Sequence, residues 1–299
     1  MTTQVASRPR TAGNKEPRRL RSRRRKITVR GWITQIVVLL AALVAAFPFY
    51  WLVVLATGAT NEIFTSPPRL IPGIHFFENF SKVIANSSFL PAFGNSAFVA
   101  VTVTALNLFL SSLAGFVFAK YQFPGRNRLF AILIAILILP TGVAIVPNFE
   151  IYAQLGWINT FLPLIVPTAV TALGVFWMRQ TAVATIPDEL MQAASIDGAG
   201  FIRQYLHVGL PGMRSGMTAL GIFQLMWTWN DYIWPLLVLA DPNKYTIPVA
   251  LQQLKGAYGN VDYSVVMAGA LVATIPLVVI FLFFRRIVMS NTAAGSIKG

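Results

Sequence analysis

The sequence predicts an all-α integral membrane protein with six membrane-spanning helices, and three observations support this. Its 299 residues are 56% hydrophobic and only 11% charged, whereas soluble domains average roughly 25% charged. Six apolar segments each reach the roughly 20 residues that carry a helix across a bilayer. Lys and Arg gather on one side of the topology those segments define. The mean hydropathy, +0.63, agrees with the composition.

The six spans run at about 32–57, 95–119, 128–148, 161–183, 215–239 and 264–289. Each is expected to be helical, because a lone strand in lipid leaves its backbone groups unpaired. Pro48, Pro140, Pro163, Pro167, Pro235 and Pro276 fall within them and are expected to bend those helices. Ahead of the first span, residues 1–30 hold eleven Lys and Arg against one acid, Glu16. The run PRRLRSRRRK at 17–26 adjoins an apolar span. It therefore reads as a cytosolic anchor for membrane lipid headgroups, with no nucleic acid as partner. The apolar run that follows reaches Gly58, well beyond the ~7–15 residues of a signal-peptide core.

Charge sets the orientation. With the N-terminus inside, twenty Lys and Arg lie on the inner side and four on the outer: Arg69, Lys82, Lys244 and Lys255. Without residues 1–30 the split is still nine to four. Both termini are therefore expected in the cytosol. The chain divides into a basic segment, 1–30, a six-span membrane domain, 31–289, and a cytosolic tail, 290–299. Residues 184–214 become a cytosolic loop between spans 4 and 5.

Several chemistries are excluded. There is no cysteine and only two histidines, His75 and His207, so no metal site is expected where zinc takes about three or four protein ligands. No G-x-x-x-x-G-K-[ST] occurs, so any ATP use belongs to a partner chain. No cofactor is expected.

The loop 188–211, DELMQAASIDGAGFIRQYLHVGLP, is unlike the spans on either side. Pro187 suits the first turn of a helix, and Asp188 and Glu189 favour its positive end. Thr185 stands three residues before Asp188, as in a capping arrangement. Leu190, Ala193, Ala194 and Asp197 share one helix face, and the two alanines keep it thin. Asp197-Gly198 signals a stop. A second short helix is expected through Phe201–Leu206, ended by Gly209 and Pro211. The product is a stiff helix–turn–helix elbow suited to docking another protein.

These residues resemble the cytoplasmic EAA motif of binding-protein-dependent ABC importer permeases. Gln192-Ala193-Ala194, then Ser195-Ile196-Asp197, Gly198 and later Leu210-Pro211 follow its form, as do the lead-in Pro187-Asp188-Glu189-Leu190 and the core Asp197-Gly198-Ala199. Gln192 replaces the motif's first Glu; it keeps hydrogen-bonding capacity and loses the ion pair. Trp229-Asn230-Asp231-Tyr232 with Trp234-Pro235-Leu236 is similar to the W-N-D/E segment of MalG-type sugar permeases. The tail Ser290–Gly299 resembles the G-L-T-x-G-x-V-K-G ending of that subfamily, with Ser290 and Asn291 in place of Gly-Leu. The likeness runs from about Pro67 to the last residue.

The resemblance implies a type I ABC importer permease with a MetI-like core at about 90–286, in the cytoplasmic membrane of a prokaryote. The implied partners are a homologous second permease in a heterodimer, two ATP-binding subunits and an extracytoplasmic solute-binding lipoprotein. The solute would be sugar-like. Glu189, Gln192, Ala193, Ala194, Asp197, Gly198, Ala199, Leu210 and Pro211 would form the coupling helix loop that docks on an ATPase. Thr292, Gly295, Lys298 and Gly299 would lie near the ATPase interface. The outer loop 240–263 would reach the binding protein, although from sequence alone a plain solvated loop fits equally.

Asn107, Gln224, Trp229, Asn230 and Asp231 are candidates for the translocation path. Span Ser, Thr and Asn side chains also commonly bond packed helices to one another, and Trp227, Trp229, Tyr232 and Trp234 also fit an interfacial aromatic belt. An ion-coupled secondary transporter is the rival class, with Asp231 as its intramembrane carboxylate. A membrane enzyme would need clustered His, Asp or Glu, and the spans have none.

Overall fold

The computed structural model describes residues 29–86, 88–255 and 261–295, with side chains from 32 to 283 apart from those at 87, 141 and 256–260. All regular structure among the described residues is helical. The chain separates into two units, one through Pro48 and one from Phe49 onward. In the first, helix α1 (Val29–Thr57) presents exposed Trp32, Ile36, Leu40 and Val44. Over 32–48 the helix is apolar and exposed on every side, which suits lipid or other helices; only its end in the second unit is buried, at Val54 and Ala56.

The second unit is organised around α3, Phe89–Lys120, the longest of its fully described helices. Against it pack α7 (Ala172–Thr185) and α10 (Leu210–Trp229). Gly115 lets α3 and α7 meet at backbone distance: a Cβ there would lie 2.7 Å from both Arg179 N and Met178 Cβ. Small residues at crossing points are the usual means of close packing between membrane helices. At one end of α3 the core is Phe116, Met178, Ala182, Ile186, Tyr205, Met213 and Leu220. At the other, Phe89 and Ala92 pack with Val83 from α2 (Phe76–Ala85), Ala250 from α12 (Ile247–Gln253) and Ala268 from α13 (Tyr263–Gly295).

By length and composition, Trp32–Thr57, Phe89–Lys120 and Tyr263–Phe283 could each cross a membrane unaided. The other three predicted spans are broken, not merely bent. Span 3 divides into α4 (Arg126–Ile138) and α5 (Ile145–Gln154), which meet at 91°. Pro140 is the cause: it supplies no N–H and drives Leu139 into extended backbone, ψ 131°. Span 4 divides into α6 (Leu162–Ile165) and α7 around Pro167. Thr171 then caps α7 by accepting from Gly174 N–H at 3.0 Å. Span 5 divides at Asn230-Asp231-Tyr232 into α10 and α11 (Ile233–Val238). Pro48 and Pro276, by contrast, lie inside continuous helices.

Two further expectations need correction. The outer segment 240–263 is not a plain loop, because α12 seals Ile247, Val249 and Ala250 into the core. It opens on an Asp241-Pro242-Asn243 turn in which Asp241 accepts from Asn243 N–H at 2.9 Å. The last helix also continues past 289 to Gly295.

Candidate functional site

The elbow begins at Pro187, whose extended backbone (φ −63°, ψ 146°) releases α8, Asp188–Ile196, with both acids in its first turn. Thr185 does not cap it, because its hydroxyl donates back to Thr181 O at 2.8 Å. The far end closes at the expected Asp197-Gly198 stop. Ala199 N–H reaches Ala194 O at 2.9 Å and Gly198 N–H reaches Ser195 O at 3.1 Å, with Gly198 at φ +72°. This is the Schellman arrangement, and its left-handed position favours glycine.

The second arm departs from expectation. After α9 (Phe201–Gln204), a π-turn at Tyr205–Gly209 runs without interruption into α10. Gly209 and Pro211 therefore do not end the helix. The wider turn, with Leu210 N–H bonding Tyr205 O, absorbs the donor that Pro211 lacks. The elbow is thus one piece with the helix that follows it.

Its inner side is bolted to the end of α3. Gln204, buried, donates from Nε2 to Ser195 Oγ at 3.0 Å and Ala199 O at 2.8 Å, and its Oε1 accepts from Tyr121 OH. The two arms and α3 therefore share one amide. Tyr205 OH pairs with Ser112 Oγ at 2.7 Å, both buried. The Phe116 ring contacts Tyr121, Phe201 and Tyr205, centroids 5.7–6.4 Å away. Lys120, with a side chain only 5% exposed, donates to Asp188 Oδ1 at 2.6 Å.

That lysine holds the Asp188 carboxyl below the usual Asp range, chiefly by its hydrogen bond and then by its charge. A lowered folded pKa stabilises above the unfolded pKa and is lost as pH falls through the folded value. Asp188→Asn is therefore expected to lower the melting temperature of the purified protein modestly at pH 7. Scans at stepped pH are expected to show the gap closing below about pH 4, near the ordinary Asp value. A gap constant with pH would remove Lys120–Asp188 from the account.

The outer side of the elbow is open. Leu190, Ile196 and Ile202 are exposed large apolar side chains. Glu189, Gln192, Ala193 and Asp197 are exposed beside them, Ala194 and Ala199 partly so, and the Gln192 amide makes no hydrogen bond among the described residues. Gly198, Gly200, Phe201, Ile202, Arg203 and His207 line an open depression. Leu210 is half-buried and Pro211 exposed at the start of α10.

A second feature sits at the α10–α11 break. A cavity of about 300 Å³ is lined by Thr168, Trp227, Thr228, Asp231, Trp234 and Thr246, among others. Of the path candidates, Asp231 alone lines it, and the amides of Ile233 and Trp234 face its carboxyl. The others are engaged elsewhere. Asn107 is buried and donates to Thr168 O at 3.0 Å and Thr171 Oγ1 at 3.2 Å. Gln224 donates to Thr228 Oγ1 at 3.1 Å. Trp229 is buried rather than at an aromatic belt, and its indole donates to Ala273 O at 3.3 Å. Asn230 is exposed and donates to Met226 O at 2.7 Å.

The segment leading to α12 is pinned. Asn95 Nδ2 donates to Asn243 O and Tyr245 O at 2.8 and 3.0 Å, and Ser96 Oγ accepts from Ile247 N–H at 2.8 Å. Asn159, at φ 60°, accepts from the amides of Ala240 and Asp241. In the tail, Thr292 and Gly295 lie on the backbone of α13, and Lys298 and Gly299 lie outside the described residues.

Sequence reading missed Lys120, Tyr121, Gln204, Asn159 and Thr246. Thr246 carried a readable signal, since it stands before Ile247-Pro248, a helix start with proline in the first turn. The others gave none, because their partners lie 68 to 85 residues away in the chain or across a turn.

Comparison with known proteins places this arrangement. Residues 110–292 match the family described as binding-protein-dependent transport system inner membrane component. The arabinooligosaccharide permease AraQ of Halalkalibacterium halodurans is 31% identical over 93% of this chain and its own full length. The lactose permease LacG of Rhizobium radiobacter is 32% identical over 87% of this chain and 93% of its own. The sn-glycerol-3-phosphate permease UgpE of Escherichia coli is 32% identical over 86% and 95%. A chain of a bacterial ABC transporter that imports the acidic polysaccharide alginate shares the fold, with TM-score 0.75 at 18% identity over 86% of this chain and 96% of its own. With more than half the chain inside the family match and relatives above 30% identity over most of both lengths, the chain belongs to the binding-protein-dependent transport system inner membrane components, the permeases of ABC importers.

Proposed function

We propose that this chain forms half of the translocation path of an ATP-driven importer for a sugar or sugar-like solute, and that the elbow at 188–211 couples it to a separate ATPase. One observation carries the coupling reading. The elbow is capped, tied by Gln204, Tyr205 and Lys120 to α3, and open on its outer face. An element that must transmit a stroke has to be stiff behind and accessible in front. The chain crosses the membrane six times in this reading, three times through broken helices, with both termini in the cytosol. Broken helices are tolerated at membrane depth where they line a protein-enclosed cavity, as at Asp231.

A homologous second permease, two ATP-binding subunits and a solute-binding protein complete the importer. The pinned segment at 240–263 faces the binding protein, and the tail with Thr292, Gly295, Lys298 and Gly299 faces the ATPases. Relatives named for arabinooligosaccharides and lactose support a sugar-like solute.

Ala193→Glu and Gly198→Asp, tested in the assembled importer, are expected to abolish solute uptake while insertion and monodispersity persist. The first puts a charge on the thin face; the second puts a charged side chain on the turn, where φ is +72° and glycine is favoured. Normal uptake by both variants would show that coupling runs elsewhere. Uptake by vesicles holding this chain without any ATPase would favour an ion-coupled carrier instead.

A further inference from the structure

The cavity beside Asp231 says something about the solute, provided it is part of the path as proposed above. Its volume, about 300 Å³, is at the low end of the roughly 300–1,000 Å³ of ligand pockets. Among the described residues, Asp231 is the sole ionisable one lining it, and no Lys, Arg or His takes part. The remaining polar groups include the hydroxyls of Thr168, Thr228 and Thr246. Thr246 is 5% exposed, and its Oγ1 has no hydrogen-bond partner among the described residues. Buried hydroxyls are rarely left without a partner, and Thr246 is one of the residues that line this cavity. Thr228 accepts from Gln224, which leaves its own proton to donate. Trp227 and Trp234 add indole surface, and Tyr152 sets Trp234 edge-on at 5.5 Å.

This set suits a polyol. Sugar hydroxyls donate to a carboxylate in strong, charge-assisted bonds. They also donate to and accept from threonine, while the C–H face of a sugar ring lies on indole. A phosphate or uronate brings oxygens that only accept, with the same sign of charge as Asp231. The apolar walls shield that repulsion less than water does. Specificity built from a repulsive group needs no extra contact to the favoured ligand.

We propose that this cavity selects uncharged polyhydroxylated solutes, sugars or polyols, and that Asp231 turns away anionic ones such as phosphodiesters and uronates. The relatives divide along this line, with lactose and arabinooligosaccharide permeases on one side and an sn-glycerol-3-phosphate permease on the other.

The test uses the purified complete importer without its binding protein, and two probes of equal size, methyl β-glucoside and methyl β-glucuronide. Saturation-transfer NMR titrations give both affinities. The glucoside is expected to bind at least about tenfold more tightly, given the cost of placing like charges together. Asp231→Asn is expected to erase most of that ratio. Thr246→Val is expected to weaken the glucoside several-fold, through one lost hydrogen bond, and to leave the ratio alone. Asp231→Ser serves the same comparison should Asn disturb the start of α11. If both probes bind equally, or if the ratio survives at position 231, charge selection is overturned. A Thr246→Val effect in that case leaves the cavity in the solute path. If neither probe binds, or neither position matters, the path reading falls as well.

Discussion

Gly115→Val is expected to stop α3 from seating against α7. The first added carbon would lie 2.7 Å from Arg179 N and from Met178 Cβ, and backbone cannot step aside as a flexible side chain can. Overpacking a well-filled site costs roughly 1–3 kcal/mol and occasionally more, and a collision with backbone belongs at or beyond the top of that range. Since α3–α7 is the principal packing pair of the second unit, the variant is expected to yield little monodisperse protein in detergent, with Gly115→Ala intermediate. Size-exclusion profiles at matched expression check this. A normal profile for the valine variant would mean the two helices are further apart than described.

The second large effect is at Phe116. Its ring is fully buried and surrounded by Tyr121, Phe201 and Tyr205. Truncating a buried Phe to Ala costs about 3–5 kcal/mol. Two of those three neighbours belong to the elbow, so the loss is expected there before it reaches the rest of the fold. Hydrogen exchange on the purified protein is expected to show faster exchange across 188–209, with α12 unchanged. In the importer, uptake is expected to fall at least tenfold, since each 1.4 kcal/mol is a factor of ten. Uniform acceleration across both regions would mean that Phe116 stabilises the whole fold and has no special hold on the elbow.

How far the sequence could be read depended on the range of the signals. The elbow was legible because its signals are local. Pro187, the acids Asp188 and Glu189, and Asp197-Gly198 each act within one turn of the chain. The apolar spans were legible because lipid imposes one composition over about 20 residues. Their breaks were not: residues 139–144 and 166–171 are themselves apolar on average, and polar Asn230-Asp231-Tyr232 does not by itself announce a break, since Asn107, Ser111 and Ser112 sit inside unbroken α3. Proline could not decide the matter. Pro48 and Pro276 are carried inside helices, while Pro140 and Pro235 adjoin breaks. What differs is whether neighbouring groups take up the freed carbonyl, and a neighbour is a tertiary fact. The same reason explains Gly209 and Pro211, where a π-turn carried the helix through a predicted stop. Polar span residues were ambiguous by nature. Asn107 bonds one helix to another and Asp231 lines a cavity, and nothing in residue type separates the two roles.

The attachments at the two ends of α3 have a mechanical meaning when considered together. Asn95 and Ser96 hold the segment at 243–247, while Ser112, Phe116 and Lys120 hold the elbow. From Asn95 to Lys120 runs one unbroken stretch of helix, about 38 Å at 1.5 Å per residue, with no proline after Pro91. That exceeds the ~30 Å of a bilayer's hydrocarbon core. A strut of this length needs no relay of rearranging side chains to connect its ends. When one end is tilted, the other swings with it, so what moves the elbow and what moves the segment at 243–247 are displacements of the same rigid body.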